Sequence, residues 1–121
     1  LHGIHPATPL DPMQTMATAI TRQSLGGTVI AEDQAINVDQ ALAAMTLNAA
    51  KHLGQEMQLG SIQVGKKADF TILDGNPLTT NPTDIAQLEV RGVLIDGQPV
   101  DLRWIASLSP GLVWRLLTSQ L

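Results

Sequence analysis

The sequence has few of the residue types on which many functional sites depend. Its 121 residues contain no cysteine and no tyrosine, and only one phenylalanine and two tryptophans. The lack of cysteine excludes disulfides, thiolate metal ligands and cysteine nucleophiles. Aromatic residues make up 2% of the chain, which disfavours a surface on which bases or sugars stack. The core must therefore be built mainly from aliphatic side chains and methionine.

Charge and hydropathy exclude further classes of function. The net charge of −4 at pH 7 disfavours nucleic acid as a partner, since binding a polyanion requires a basic surface. No run of 18 apolar residues predicts a membrane span, and no basic-then-apolar start is typical of a signal peptide. We therefore expect a cytoplasmic location. The first residue is Leu1 rather than Met, so the sequence does not define the natural amino terminus.

The first predicted helix covers residues 12–22. Asp11 is a typical N-cap and Pro12 suits the first helical position, where its missing N–H costs nothing. The residues that follow place one apolar face at helical spacing: Met13, Met16, Ala17 and Ile20. After two glycines that break this helix, residues 28–30 fit either a brief strand or an extended loop.

The second predicted helix begins at Asn37, because Gln40 three residues later completes a capping-box pattern. Its apolar stripe recurs at helical spacing: Val38, Ala41, Leu42, Met45 and Ala49. The polar step Thr46-x-Asn48 is expected to divide the helix, since both side chains compete for backbone hydrogen bonds. Gly54 is expected to end it.

A turn–turn–strand unit, Gly60–Leu73, precedes the predicted sheet. Glycines at both turns supply backbone freedom, and the β-prone run after Lys66 and Lys67 predicts a strand at 69–73. Asp96-Gly97 predicts a type I′ hairpin turn between strands at 89–95 and 98–101. A short helix is expected at Pro82–Gln87. Helices followed by a small antiparallel or mixed sheet indicate an α+β fold.

The last twenty residues, 102–121, change in character. Ser109-Pro110 is a helix-start pattern. It is followed by an apolar stripe that predicts an amphipathic helix: Leu112, Val113, Leu116, Leu117 and Leu121, with Arg115 and Ser119 opposite. The helix is too short to cross a bilayer. We expect it to lie over exposed core or on a second subunit.

Four motifs, taken in order, give the chain a family resemblance over residues 5–101. They are Pro6-x-Thr8-Pro9-x-Asp11-Pro12, Asp39-Gln40-Ala41-Leu42 leading to Met45-Thr46-x-Asn48-Ala49-Ala50, the Gly60–Leu73 unit, and Asn76-Pro77-Leu78 through Asp96-Gly97-Gln98-Pro99-Val100. Together they resemble the C-terminal portion of amidohydrolase family 3, the group that contains N-substituted formamide deformylase. The resemblance implies that residues 1–58 are the end of a TIM-like barrel, 59–101 part of a β-sandwich, and 102–121 an added tail.

The resemblance also implies where catalysis takes place in a complete member. A divalent metal such as zinc is held by an HxH pair, a carboxylated lysine, two later histidines and an aspartate, and it activates water to hydrolyse non-peptide C–N bonds. This chain lacks the HxH pair, the lysine and the later histidines. The expected aspartate, two residues before Pro6, is Ile4, which neither ligates a metal nor carries a proton.

Three histidines and two aspartates are the remaining candidates for chemistry. His2 and His5 flank Ile4 and are weak candidates for a metal site, although surface loop histidines are favoured. His52 is expected to interact with a helix C-terminus. Asp11 is expected to be a helix N-cap, and Asp69 a turn residue, rather than catalytic carboxylates. No catalytic or cofactor-binding residue is therefore predicted, and this chain is expected to hold no metal.

Three functions are consistent with these observations. The chain is a fragment or truncated relative of a metal-dependent amidohydrolase that does not catalyse by itself, or a stand-alone, non-enzymatic binding and assembly module, or a hydrolase with a new site at His2 and His5. An apolar face that normally covers a barrel would be left exposed. We therefore expect as partner either a second copy, in a homodimer, or the missing remainder of the hydrolase.

Overall fold

A computed structural model describes residues 11–24 and 26–101, which form three α-helices followed by a three-stranded sheet. The helices and strands are α1 Pro12–Thr21, α2 Val38–Met45, α3 Leu47–His52, β1 Phe70–Leu73, β2 Val90–Ile95 and β3 Gln98–Pro99. This arrangement confirms the predicted α+β class. The predicted tail helix, together with His2, Ile4 and His5, lies outside the described residues.

Helix α1 begins where the sequence predicts and ends one residue earlier. The Asp11 carboxylate accepts hydrogen bonds from the backbone N–H groups of Met13 at 2.9 Å and Gln14 at 3.2 Å. At the other end, Arg22 takes the left-handed conformation, with φ 55°, and donates its N–H to the carbonyl of Thr18. Arg22 therefore ends the helix instead of lying in its last turn. Beyond it, Gln23 and Val29 form a single antiparallel bridge, not a strand.

The capping box and the helix break of the second helical segment are both confirmed. Asn37 Oδ1 accepts the N–H of Gln40 at 2.8 Å, and Gln40 Oε1 accepts the N–H of Asn37 at 3.0 Å. The break between α2 and α3 falls at Thr46, whose hydroxyl donates to the Leu42 carbonyl at 2.7 Å. Thr46 competes for a backbone acceptor as expected.

The core lies where α1 and α2 meet a 3-10 helix at Ile85–Gln87. Its two large side chains with no measurable exposure are Met16 and Ile85. The expected helix at Pro82–Gln87 was wrong in extent, because Asn81 Oδ1 accepts the N–H of Thr83 and forms a turn. Only the last three residues are helical, and they pack Ile85 into the core against α1.

The sheet is antiparallel throughout, with strand order β1-β2-β3. Asp96 and Gly97 both have positive φ, 52° and 76°, as a type I′ turn requires. Residues paired directly across neighbouring strands share a face. Phe70 pairs with Leu94, and Leu94 with Pro99, while Ile72 lies two residues along from Phe70. We call these four side chains, Phe70, Ile72, Leu94 and Pro99, the apolar sheet face.

Candidate functional site: an exposed apolar connector

The segment that joins α3 to β1 exposes four large apolar side chains. Their exposed fractions are 73% for Leu53, 81% for Met57, 84% for Ile62 and 109% for Val64. We call residues 53–64 the apolar connector. Single exposed apolar residues are common, but four within twelve residues are typical of a surface that contacts a partner.

The backbone of the apolar connector is fixed by hydrogen bonds. The ammonium group of Lys66 donates to the carbonyls of Glu56 and Leu59 and, at 2.7 Å, to the hydroxyl of Ser61. Lys67 donates its backbone N–H to the carbonyl of Gln58 at 2.9 Å. Because these bonds tie residues 56–61 to the chain just after the connector, its apolar side chains project from a hydrogen-bonded turn.

Gly60 fastens the same segment to the start of α3. Its φ of +83° is one that side chains rarely adopt. A Cβ at this position would lie 2.8 Å from Ala50 Cβ and 2.9 Å from both Leu47 Cα and the Thr46 carbonyl oxygen. Only glycine permits this approach, so the connector is positioned against the junction between α2 and α3.

Glu56 adds an unpaired acceptor to the connector. Its Oε2 atom is buried and has no hydrogen-bond partner among the residues that the structure describes. A buried polar atom left without a partner costs about 1–3 kcal/mol. The connector thus presents apolar side chains to solvent, while one carboxylate oxygen of Glu56 is buried with incomplete hydrogen bonding.

The carboxylates considered as candidates from the sequence have structural roles. Asp69 Oδ1 accepts the backbone N–H of Asp96 at 2.7 Å, which ties the start of β1 to the hairpin turn at Asp96-Gly97. Asp11 is the N-cap described above, and His52 lies exposed in the last turn of α3. Within residues 11–24 and 26–101, no group of three or more His, Asp or Glu side chains is arranged to hold a metal ion.

A shallow cleft of about 300 Å³ lies between α1 and the loop that follows it, and it is lined in part by Gln14, Thr21, Gln23, Ser24 and Thr83. Several of these polar groups are already bonded within the chain. The Thr21 hydroxyl donates to the Ala17 carbonyl, and Gln23 Nε2 donates to the Gly27 carbonyl. None of the lining residues titrates near neutral pH, so the cleft offers no acid or base for catalysis.

The comparison with known proteins decides the family. The model of the amidohydrolase family matches residues 5–101. The chain belongs to the amidohydrolase family. An amidohydrolase from Thermotoga maritima whose crystal structure is known is similar in fold, with a TM-score of 0.58 and 31% identity, over 80% of this chain and 21% of that one.

Two curated amidohydrolase-family relatives are similar in sequence over most of the chain. N-substituted formamide deformylase from Arthrobacter pascens is 32% identical over 93 residues, which is 77% of this chain and 17% of the relative. Putative amidohydrolase YtcJ from Bacillus subtilis is 32% identical over 98 residues, which is 78% of this chain and 18% of the relative. The chain therefore spans about a fifth of the length of the relatives that it matches.

Sequence reasoning located the turns of this amidohydrolase segment but missed the apolar connector. The alternation of Ile62 and Val64 with polar residues is visible in the sequence, and so is Lys66 directly after the glycine of the second turn. What was not visible is that Lys66 turns back onto Glu56, ten residues earlier.

Within the described residues, no helix is both long enough and apolar enough to cross a membrane.

Proposed function

We propose that residues 11–101 are the closing segment of a metal-dependent amidohydrolase. In this proposal the helices before residue 58 complete the barrel, and the sheet after residue 59 contributes to a β-sandwich. The metal site that hydrolyses a non-peptide C–N bond is supplied by other residues, on the same polypeptide or on a partner chain. Family membership over residues 5–101, at about a fifth of the length of the relatives, supports this assignment.

The observation that carries the proposal is the ordered, exposed apolar connector. If its four side chains became fully buried against a partner, they would contribute on the order of 6–12 kcal/mol before opposing terms. The hydrogen bonds of Lys66 already fix the connector backbone, so docking orders little further chain and loses less entropy.

The described residues take no chemical step in this proposal. Complete family members hold a divalent metal, yet residues 11–24 and 26–101 contain no cluster of three side chains suited to one. The role of this segment is to complete the fold that positions the metal site. N-substituted formamides are the first substrates to assay, because one relative is named as a deformylase of such compounds.

The experiment compares two exposed isoleucines in the complete enzyme, produced from its natural gene with an affinity tag at the C-terminus of this chain. Ile62→Asp places a charge on the connector, where the side chain is 84% exposed. Ile30→Asp makes the same change at a side chain that is 57% exposed in the loop after α1. Neither change disturbs the core of this segment, so both variants should leave its own stability within about 0.5 kcal/mol.

We expect Ile62→Asp to lower metal content and hydrolysis per mole of tagged chain, and Ile30→Asp to leave both unchanged. Equal activity in the two variants would contradict docking through the connector. Recovery of the tagged chain only as copies of itself, with no other hydrolase residues present, would contradict the proposal and favour self-association instead.

A further inference from the structure

Positive charge is concentrated beside the apolar connector. Residues 51–67 contain a single carboxylate, and they contain all three lysines of the chain: Lys51, Lys66 and Lys67. The rest of residues 11–101 carries two arginines and ten carboxylates, which give it a net charge of −8. The connector is therefore a basic, apolar region of an otherwise acidic segment.

The three lysines differ in where their ammonium groups lie. Lys66 is half-buried, and its ammonium group donates to neutral oxygens of the connector. Lys51 and Lys67 are exposed. Their backbones are bonded to the connector, because the Lys51 carbonyl accepts the N–H of Gly54 at 3.0 Å and the Lys67 N–H donates to the Gln58 carbonyl at 2.9 Å. Two exposed positive charges therefore flank the exposed apolar side chains.

These two charges have no carboxylate partner in the described part of the chain. Within residues 11–24 and 26–101, both ion pairs are made by one residue, Arg91, with Asp74 and Glu89. Lys51 and Lys67 form no ion pair there. A surface that docks on the connector must leave these ammonium groups in water at its edge or supply opposite charges to them, since an unpaired charge is costly to bury.

We propose that the surface of the hydrolase that receives the connector is apolar at its centre and carries carboxylates at its edge, facing Lys51 and Lys67. This proposal rests on the proposed function, because it describes the other side of that contact. An apolar centre with a polar rim is the usual anatomy of an interface. Opposite charges at the rim fix the register in which the two surfaces meet and disfavour wrong partners.

A second copy of the chain fits the connector less well. Two connectors that face each other would bring the lysines of both copies together, and like charges across an interface cost free energy. A connector that docks on the acidic part of another copy makes a contact between unlike surfaces, which continues into a ring or a filament. The chain spans about a fifth of the length of its relatives, so a complete hydrolase supplies many further residues for the receiving surface.

Neutralising each lysine in the complete enzyme tests the proposal. Lys51→Gln and Lys67→Gln each remove one positive charge, and Gln34→Glu makes the same change in net charge at an exposed residue away from the connector. The urea midpoint is measured at about 0.1 M and about 1 M NaCl, between which the Debye length falls from about 10 Å to about 3 Å. We expect both lysine variants to have a lower midpoint than Gln34→Glu at low salt, and the difference to disappear at high salt.

Two comparisons separate a contact with the hydrolase from a role inside the segment. Lys66→Gln removes hydrogen bonds to neutral oxygens, so its loss of midpoint should persist at high salt. In the 121-residue chain alone, Lys51→Gln and Lys67→Gln should lower the midpoint no more than Gln34→Glu does, because the receiving surface is missing.

Three results would overturn the proposal. The first is a midpoint of both lysine variants in the complete enzyme that equals that of Gln34→Glu at low salt. The second is the same loss in the 121-residue chain alone, which would assign the charges to contacts inside the segment. The third is self-association of that chain, seen by light scattering and abolished by Lys51→Gln or Lys67→Gln, which would assign the receiving surface to a second copy.

The proposed function can survive the failure of this proposal. If Ile62→Asp lowers metal content and hydrolysis while the lysine variants behave like Gln34→Glu, the connector docks without carboxylates at the edge of its partner. If Ile62→Asp also behaves like Ile30→Asp, docking through the connector is refuted as well.

Discussion

Replacing Gly60 by alanine should destabilise the chain through two separable effects. The first is conformational: φ at Gly60 is +83°, and an L-residue in the left-handed region costs roughly 1–2 kcal/mol. The second is steric, because the new Cβ would lie within 3 Å of Ala50 Cβ, Leu47 Cα and the Thr46 carbonyl oxygen. Two of those atoms belong to the backbone and cannot rotate away, so overpacking adds about 1–3 kcal/mol. The expected loss in the free energy of unfolding is about 2–5 kcal/mol.

Gly65→Ala is the matched control. Gly65 has a similar φ of +91°, but nothing lies within 4 Å of the position that a Cβ would take. This variant should lose only the conformational part, about 1–2 kcal/mol. Urea unfolding of the 121-residue chain, followed by far-UV circular dichroism, measures both. Equal losses in the two variants would refute the close contact between the connector and α3.

Three further substitutions test the helices and the hairpin by the same urea measurement. Asp11→Ala should lower the free energy of unfolding by about 0.5–2 kcal/mol, because the first two N–H groups of α1 lose their acceptor. Asp11→Asn keeps an acceptor oxygen and should keep most of the stability. An equal loss in both variants would contradict the capping role. Met16→Ala should lower the free energy of unfolding by about 2–5 kcal/mol, since Met16 is fully buried. Its control is Met57→Ala, at a side chain that is 81% exposed, which should change the free energy of unfolding by less than about 0.5 kcal/mol. Similar losses in the two variants would refute the assigned core. Gly97→Ala should lose about 1–2 kcal/mol, because φ is +76°, and an unchanged midpoint would argue against the type I′ turn.

Features set by neighbouring residues were predictable from the sequence. Asp11-Pro12 starts α1, Asn37 and Gln40 cap α2, and Asp96-Gly97 makes the hairpin turn, because each depends on contacts within three or four residues. The same local signals placed the break at Thr46. Strand ends differ by one or two residues from those expected, as is usual where a ladder frays.

Features set by distant contacts were not predictable. The sequence does not show that Lys66 bonds the carbonyl of Glu56, or that Ile85 reaches the core beneath α1. The irregularity in pairing between Ile72 and Leu73 likewise depends on the partner strand. The candidate site followed the same division. The N-cap role of Asp11 is local and was predicted, whereas the hydrogen bond from Asp96 to Asp69 and the exposure of the connector depend on the three-dimensional structure.

The central claim is that this segment acts as part of a larger metal-dependent amidohydrolase. Its most direct test is the mass and metal content of the species that contains the chain in its natural host, purified through the C-terminal tag. The account predicts a species several times heavier than 12.9 kDa that includes hydrolase residues beyond this chain and a divalent metal bound by them. An active 12.9 kDa chain that binds its own divalent ion and hydrolyses a C–N bond without any further residues would contradict it.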